Sequence, residues 1–264
     1  MTSSVEAMTA PAPVSGGSRA LRRLTLTEAK LFLRERVGPI WGVGFPIVLL
    51  IIFGSIPGFR KPITPGVPGL TVLDAYIPIL VALVIAMLAL SALPSVLAGY
   101  REKGVLRRMA TTPVGPGRVL AAQLAVNVVT FLVTLVLLLA VARLAYGVPL
   151  ARQFGGFVLA VVFAIAALFG IGLFIAAIAS TGRAAQAAGT ILFFPMMFFA
   201  GLWLPIAAMP AVLQHISHAT PLGAAVQALT DSWQGQFPHP LQLITLAAYA
   251  LVFCLAAARL FRWE

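Results

Sequence analysis

YREKGVLRRMATTPVGPGRVL, residues Tyr100–Leu120, is a polar stretch between two long apolar runs of the chain. Six of its side chains are charged: Arg101, Glu102, Lys103, Arg107, Arg108 and Arg118. Because charged side chains are costly inside a lipid bilayer, this stretch must form a loop on the water side of a membrane. Val105, Leu106 and Met109 share one face of a helix, and Pro113 with the glycines after it would end that helix. The sequence therefore predicts a short cationic helix between two membrane spans.

The composition of the whole chain is that of an all-α protein with several membrane spans. Of its 264 residues 61% are hydrophobic and 9% are charged, and the mean hydropathy is +1.02. Soluble domains carry about 25% charged residues. The net charge of +11 does not predict a nucleic-acid partner, because the cations flank apolar runs and form no stripe on a soluble domain. The single cysteine, Cys254, excludes an intramolecular disulfide.

Six apolar runs approach the length that a helix needs to cross a bilayer, which is about 20 residues. They cover residues 39–56, 76–98, 119–141, 154–180, 186–204 and 241–258. Six spans place both termini on one side, and the loops on that side carry 14 of the 18 Lys and Arg residues. The positive-inside rule therefore predicts that both termini and the Tyr100–Leu120 loop are cytoplasmic. Arginine outnumbers lysine 15 to 3, which is typical of a GC-rich genome and predicts a bacterial cell membrane.

The N-terminal residues divide into two segments. Residues 1–17 are small, polar and proline-rich, and are predicted to be a disordered tail and not a signal peptide. Residues 18–264 are predicted to form one transmembrane domain, and its first part, residues 18–36, is predicted to be an amphipathic helix on the membrane surface. Its basic face contains Arg23, Lys30 and Arg34. Glu28 and Glu35 fall near the apolar side, so they either face a protein partner or pair with neighbouring arginines.

The segment between the fifth and sixth spans is too long for a tight turn and too apolar for a solvated loop. The residues that break it are Gly201, Pro205, Pro210 and Pro221. Two short helices that dip part way back into the membrane would satisfy this pattern, provided that other helices shield their backbone ends.

Polar and aromatic side chains inside the spans have two interpretations. Gln123, Asn127, Gln186 and Thr190 either line a transport path or join neighbouring helices by hydrogen bonds. Aromatic residues of the fifth span, Phe194 and Phe198 among them, either line such a path or pack in the core. No ionisable residue lies at the centre of a span, which argues against coupling to protons or sodium.

Motifs for bound metals and nucleotides are missing from the sequence. His215 and His218 have a metal-compatible spacing, but no nearby cysteine or carboxylate completes a site, so we expect no metal. The chain contains no Gly-Lys pair and hence no phosphate-binding loop of its own. If ATP powers transport, ATP and Mg²⁺ must bind to another polypeptide.

Taken together, residues 19–264 resemble the ABC-2 family of ATP-binding-cassette transporter permeases, close to the daunorubicin-resistance type. The most specific part is the charged loop, where Glu102, Gly104, the hydrophobic and basic run 105–109 and Thr112-Pro113 match the pattern of the family. Phe193-Phe194-Pro195, with the Gly and Pro residues after it, is similar to the pattern that the family has at the end of its fifth span.

This resemblance implies a permease dimer, identical or mixed, bound to two separately encoded ATPase subunits. The loop helix would be the coupling helix and the N-terminal segment the connecting helix, both docked on the ATPase. The expected coupling residues are Arg101, Glu102, Gly104, Val105, Leu106, Arg107, Arg108, Met109, Thr112 and Pro113. Alternatively, these arginines only bind anionic lipid and set topology.

The direction and substrate that the resemblance implies are export of a hydrophobic or amphipathic drug, antibiotic or lipid. A permease for a lipid-linked glycan is the first alternative, since such permeases have a similar architecture. A secondary carrier or a non-transporting scaffold is a more distant one.

Overall fold

The structure is a computed structural model that describes Thr25 and residues 40–62, 71–110 and 116–260. These residues form helices joined by short turns, with one isolated bridge between Pro62 and Thr71 and no β-strand. The predicted all-α membrane architecture is confirmed. The predicted tail lies outside the described residues, as does the surface helix apart from Thr25.

Ten α-helices are present in the described part of the chain. They are α1 (Phe45–Ser55), α2 (Val72–Met87), α3 (Leu93–Glu102), α4 (Val105–Ala110), α5 (Pro116–Tyr146), α6 (Phe154–Ile178), α7 (Gly182–Phe199), α8 (Ala211–Ala219), α9 (Pro221–Gln234) and α10 (Pro240–Leu260). A π-helical turn, Ile40–Gly44, leads into α1, and a second one, Leu88–Ala92, joins α2 to α3. Short 3-10 turns occur at Pro57–Arg60 and Ile206–Ala208.

Four of the predicted spans are helices long and apolar enough to cross a membrane. They are Val72–Glu102, which joins α2 and α3, together with Gly117–Tyr146, Phe154–Ile178 and Pro240–Leu260. The first predicted span is a shorter apolar helix, and the fifth, α7, has 18 residues and begins with polar Arg183 and Gln186. A count of six crossings therefore stays a prediction.

The second span is longer than its predicted range of 76–98. A capping box between Thr71 and Asp74 starts the helix early, with the Thr71 hydroxyl accepting from the Asp74 amide at 3.2 Å. At the other end the helix runs on to Glu102. The first charged residues of the polar stretch, Arg101 and Glu102, thus belong to a helix and not to a loop.

The core of the bundle is built around α2 and the π-helical turn that follows it. Fully buried side chains there include Ile77, Leu80, Leu83, Ile85, Leu88 and Leu90. α6 packs along α9 and α10, and α3 packs along α7. Most of α10 and one face of α5 remain exposed in the single chain, as expected of helices that contact lipid or a second chain.

Glycine allows two helices to approach the backbone of the π-helical turn. A Cβ on Gly172 of α6 would stand 1.9 Å from the carbonyl oxygen of Ala89. A Cβ on Gly189 of α7 would stand 1.7 Å from the carbonyl oxygen of the next residue, Leu90. Small residues permit this kind of helix contact in membranes. The junction of α2 and α3 is therefore held between α6 and α7.

The apolar segment after α7 forms the two short helices that the sequence predicts, α8 and α9. Gly201 has a φ of +89°, and the segment 205–210 with its two prolines contains only the 3-10 turn Ile206–Ala208. Pro221 is the first residue of α9. The start of α9 lies at an apolar cavity of about 360 Å³ that reaches Tyr249 and Phe253 near the middle of α10. Its other end bonds to the start of α6, where the Gln153 amide donates to the Ser232 carbonyl at 3.0 Å.

Candidate functional site

Gly104 makes the turn between α3 and α4. Its φ of +65° lies in the left-handed region, which glycine adopts without a steric penalty. Its amide donates to the Arg101 carbonyl at 2.9 Å, and its own carbonyl accepts from the Arg108 amide at 3.1 Å. Only Lys103 and Gly104 separate the two helices. The predicted short helix is thus present, as α4, on a tight connection to α3.

α4 presents its arginines outward. The side chains of Arg107 and Arg108 are exposed, and Arg108 donates to the Lys103 carbonyl at 3.1 Å. Val105 and Met109 are half-buried on the other side. The backbone of Leu106 lies within the helix. The remaining residues of the predicted motif, Thr112 and Pro113, lie outside the described part of the chain.

Arg101 contacts the end of α6. Its guanidinium donates to the carbonyl of Ala177 at 2.9 Å and also to that of Ala179. The last carbonyls of a helix have no partner within the helix, and a cation there interacts favourably with the helix dipole. Arg101 was predicted to meet a partner protein, but here its two donors bind the chain itself.

Glu102, the next residue, contacts the start of α7. Its Oε2 accepts from the Gly182 amide at 3.0 Å, while the Thr181 hydroxyl accepts from the Ala184 amide at 3.1 Å. A carboxylate and a threonine hydroxyl both satisfy amides at a helix N-terminus. Arg101 and Glu102 thus hold the two ends of the short α6–α7 turn. We call this arrangement, Arg101 and Glu102 with residues 177–182, the charge clamp.

The polar residues of α5 lie inside the bundle. Gln123 and Asn127 are buried, as are Thr130 and Thr134 on the same helix face. The Asn127 amide donates to the Gln123 carbonyl at 2.8 Å, and the Gln123 amide reaches the Tyr100 hydroxyl at 3.4 Å. Oδ1 of Asn127 is buried without a hydrogen-bond partner. The Gln123 side chain thus joins α5 to α3, whereas the hydrogen bond of the Asn127 side chain lies within α5.

The family model of the ABC-2 type transporter matches residues 19–232. The chain belongs to the ABC-2 type transporter family. It is therefore a transmembrane permease subunit of an ABC transporter and not a catalytic subunit, and permeases of this family normally work with an ATPase subunit. No curated protein matches the chain.

One face of α7 in this ABC-2 permease is open and partly polar. Gln186, Thr190 and Phe194 are exposed, and they follow one another at intervals of one helical turn. The Phe194 ring stacks on Trp203 with centroids 6.5 Å apart. Both residues are more than half exposed, at 55% and 56%, so neither packs in the core of the single chain. Phe198 is half-buried and makes an edge contact with Phe199.

His215 of α8 makes a contact within its own helix. Nδ1 of His215 lies 2.7 Å from the Ala211 carbonyl, and His218 is in the last turn of the helix. Within residues 40–62, 71–110 and 116–260 no group of three or more His, Cys, Asp or Glu side chains could hold a metal ion.

The residues that the sequence analysis missed are those of the α6–α7 turn. Thr181 followed by Gly182 is a recognisable helix start, since threonine is a favoured N-cap residue. Nothing in the local sequence indicates that Arg101 and Glu102 would bind there. The contacts join positions 76 to 80 residues apart in the chain.

Proposed function

We propose that this permease exports hydrophobic or amphipathic molecules, such as drugs, antibiotics or lipids, from a bacterial cell. In this proposal it resembles the daunorubicin-resistance type and works as a homodimer with two copies of a separate ATPase that binds ATP and Mg²⁺. Both termini and α4 face the cytoplasm. The observation that carries the proposal is α4 itself, a short helix with two exposed arginines joined to α3 by two residues.

The geometry of α4 suits a coupling helix. A connection of two residues leaves little slack, so a displacement of α4 must be felt by α3. Arg107 and Arg108 offer positive charge to a partner whose docking surface carries acidic residues, and such complementarity speeds association and selects partners. Binding of these arginines to anionic lipid alone would leave the tight connection to α3 without a purpose.

The open face of α7 supports both the dimer and the hydrophobic substrate. Polar side chains that face hydrocarbon inside a membrane are rare and tend instead to face protein or a water-filled cavity. Gln186 and Thr190 are exposed in the single chain, so a second copy opposite α7 would place them along an enclosed path. Phe194, further along the same face, would offer that path an apolar surface.

A permease for a lipid-linked glycan is the second candidate. The observation that favours it is the exposed pair of Phe194 and Trp203, whose stacked rings offer a flat surface. An amphipathic cargo with a glycan head group would meet apolar and polar side chains on one helix face. Inhibition of drug transport by a lipid-linked oligosaccharide would favour the glycan permease, and the absence of inhibition would favour the drug exporter.

The proposal is tested by co-expressing the tagged permease with the cassette ATPase expected in the adjacent reading frame. We expect the ATPase to co-purify and inverted membrane vesicles to accumulate daunorubicin with ATP. The double variant Arg107→Glu, Arg108→Glu should retain at least tenfold less ATPase. The matched control is Lys61→Glu, Arg143→Glu, which reverses two charges at the opposite end of the bundle and should retain the ATPase.

The level of each variant in the membrane is measured in parallel, since charge reversal can disturb insertion. Normal ATPase retention and normal daunorubicin accumulation in an inserted Arg107, Arg108 variant would refute docking through α4.

A further inference from the structure

The charge clamp connects α4 to a part of the chain to which it is not joined in sequence. Arg101 and Glu102 are the last two residues of α3, and α4 begins three residues after Glu102. Their partners are the Ala177 and Ala179 carbonyls and the Gly182 amide. A force on α4 therefore reaches both ends of the α6–α7 turn as well as α3.

The signs of the two charges match the helix ends that they touch. A helix carries partial negative charge at its C-terminus and partial positive charge at its N-terminus. Arg101 lies at the C-terminus of α6, and Glu102 lies at the N-terminus of α7. Hydrogen bonds with one charged partner are roughly twice as strong as neutral ones. Each residue therefore stabilises a different helix end, and neither can replace the other.

Backbone packing continues the clamp along α3 and α7. A Cβ on Gly182 would stand 2.9 Å from the Ser95 carbonyl oxygen and 3.4 Å from the backbone of Gly99. A Cβ on Gly189 would overlap the Leu90 carbonyl in the π-helical turn that leads into α3. With no side chain between the two backbones at these points, α3 and α7 can move together but cannot slide freely. This makes α3, α4 and the first half of α7 one mechanical unit.

The π-helical turn Leu88–Ala92 separates this unit from α2. Turns of this type are rare in helices and are frequent at functional sites. α2 on the other side of it is buried almost throughout and anchors the core. The π-helical turn thus lies between α2, which is anchored in the core, and α3, which is joined to α4.

From this arrangement we propose that Arg101 and Glu102 are positioning residues that pass the displacement of α4 to α7. Their role is to move the face of α7 that carries Gln186 and Thr190, and they do not themselves bind the ATPase. The proposal rests on the proposed function, since it needs an ATPase that acts on α4.

The first experiment measures the clamp in the isolated permease by hydrogen exchange of the peptide that contains Gly182. Glu102→Gln keeps an acceptor but loses its charge, and Arg101→Lys keeps the charge but has one nitrogen in place of the two that bind the separate carbonyls. Each variant should raise exchange in this peptide about fivefold, which corresponds to roughly 1 kcal/mol. Lys103→Gln, an exposed neighbour, is the control and should leave exchange unchanged. Unchanged exchange in both clamp variants would overturn the proposal.

The second experiment uses the permease–ATPase complex in lipid nanodiscs. A fluorescent label is placed on α7 at Ile191→Cys, an exposed position, in a background with Cys254→Ala. Trapping with ATP and vanadate should shift the emission of the label. Arg101→Gln should retain the ATPase but reduce the emission shift at least fivefold. The shift in Arg101→Lys should lie between those of Arg101→Gln and the parent permease, and the shift in Lys103→Gln should equal that of the parent.

The possible outcomes separate the two proposals. A full shift of the label in Arg101→Gln would contradict the role of the clamp while leaving docking through α4 intact. Failure of the parent permease to retain the ATPase would contradict the proposed function, whatever the exchange measurement shows.

Discussion

Gly189 of α7 packs directly against the carbonyl oxygen of Leu90, so closely that its Hα atoms fit there but a Cβ would not. An added Cβ would stand 1.7 Å from that oxygen. Leu90 is fully buried in the π-helical turn, so its backbone has no space into which to move. The contact fixes how closely α7 packs on the junction of α2 and α3.

Gly189→Ala should therefore lower stability. Forcing an extra carbon into a packed interior typically costs about 1–3 kcal/mol, and this carbon would meet backbone and not a flexible side chain. We expect a clear fall in the apparent Tm of the detergent-solubilised permease, measured by scanning fluorimetry. Gly155→Ala is the control, because a Cβ there has open space within 4 Å and alanine favours the helix. Equal Tm values for both variants would contradict this packing.

Gly104 yields a second prediction, about the connection between α3 and α4. Its φ of +65° disfavours alanine by roughly 1–2 kcal/mol, whereas asparagine tolerates this conformation better. Gly104→Ala should weaken ATPase retention more than Gly104→Asn does, because only alanine distorts the turn that orients α4. Co-purification of the ATPase measures both. A larger loss of ATPase in Gly104→Asn than in Gly104→Ala would mean that side-chain size at the turn, and not its backbone conformation, decides ATPase retention.

The helical regions and the charged turn were predictable because the free-energy cost of taking a segment out of water depends on the residues of that segment alone. A run of apolar residues reveals a buried or lipid-facing helix, and charged residues such as Arg107 reveal the end of one, whatever the rest of the fold does. The helix bounds were less predictable. α3 extends to Glu102 because its last charged residues find partners at the ends of other helices.

The clamp itself could not be predicted, since it depends on which helix ends meet in space. Arg101 and Glu102 lie in the same polar stretch as Arg107 and Arg108, yet only the first pair bonds to the ends of α6 and α7. The two aromatic residues Phe194 and Trp203 illustrate the same point. Their apolar character fits a core as well as an open face, and only the packing of α7 decides between them.

The orientation of the permease is a third prediction. Since 14 of the 18 Lys and Arg residues fall on the side predicted for the termini, alkaline phosphatase fused after Glu264 should stay in the cytoplasm and be inactive. A green fluorescent protein at the same position should fluoresce. The positive control is a phosphatase fusion after Lys61, on the opposite side. An active phosphatase at Glu264 would invert the topology and with it the position proposed for α4.

At the other end of the bundle from α4, Arg60 and Tyr146 hold the end of α1 against α5. The Arg60 guanidinium lies 5.3 Å from the centre of the Tyr146 ring, and its Nε donates to the Gly54 carbonyl at 2.5 Å. The Tyr146 hydroxyl donates to the Ile51 carbonyl at 3.2 Å. The ring packs over Gly54, where a Cβ would come within 2.5 Å of it.

This arrangement yields the fourth prediction, a coupling energy between the two side chains. In a double-mutant cycle of Arg60→Gln and Tyr146→Leu, the two stability losses should fall short of additive by about 0.5–1 kcal/mol, the strength of an exposed cation–π contact. Tyr146→Phe keeps the ring and should preserve most of this coupling while losing the bond to Ile51. Pairing Tyr146→Leu with Lys61→Gln, an exposed neighbour of Arg60, should give additive losses. Additivity in the Arg60 cycle would show that the ring and the guanidinium stabilise α1 independently.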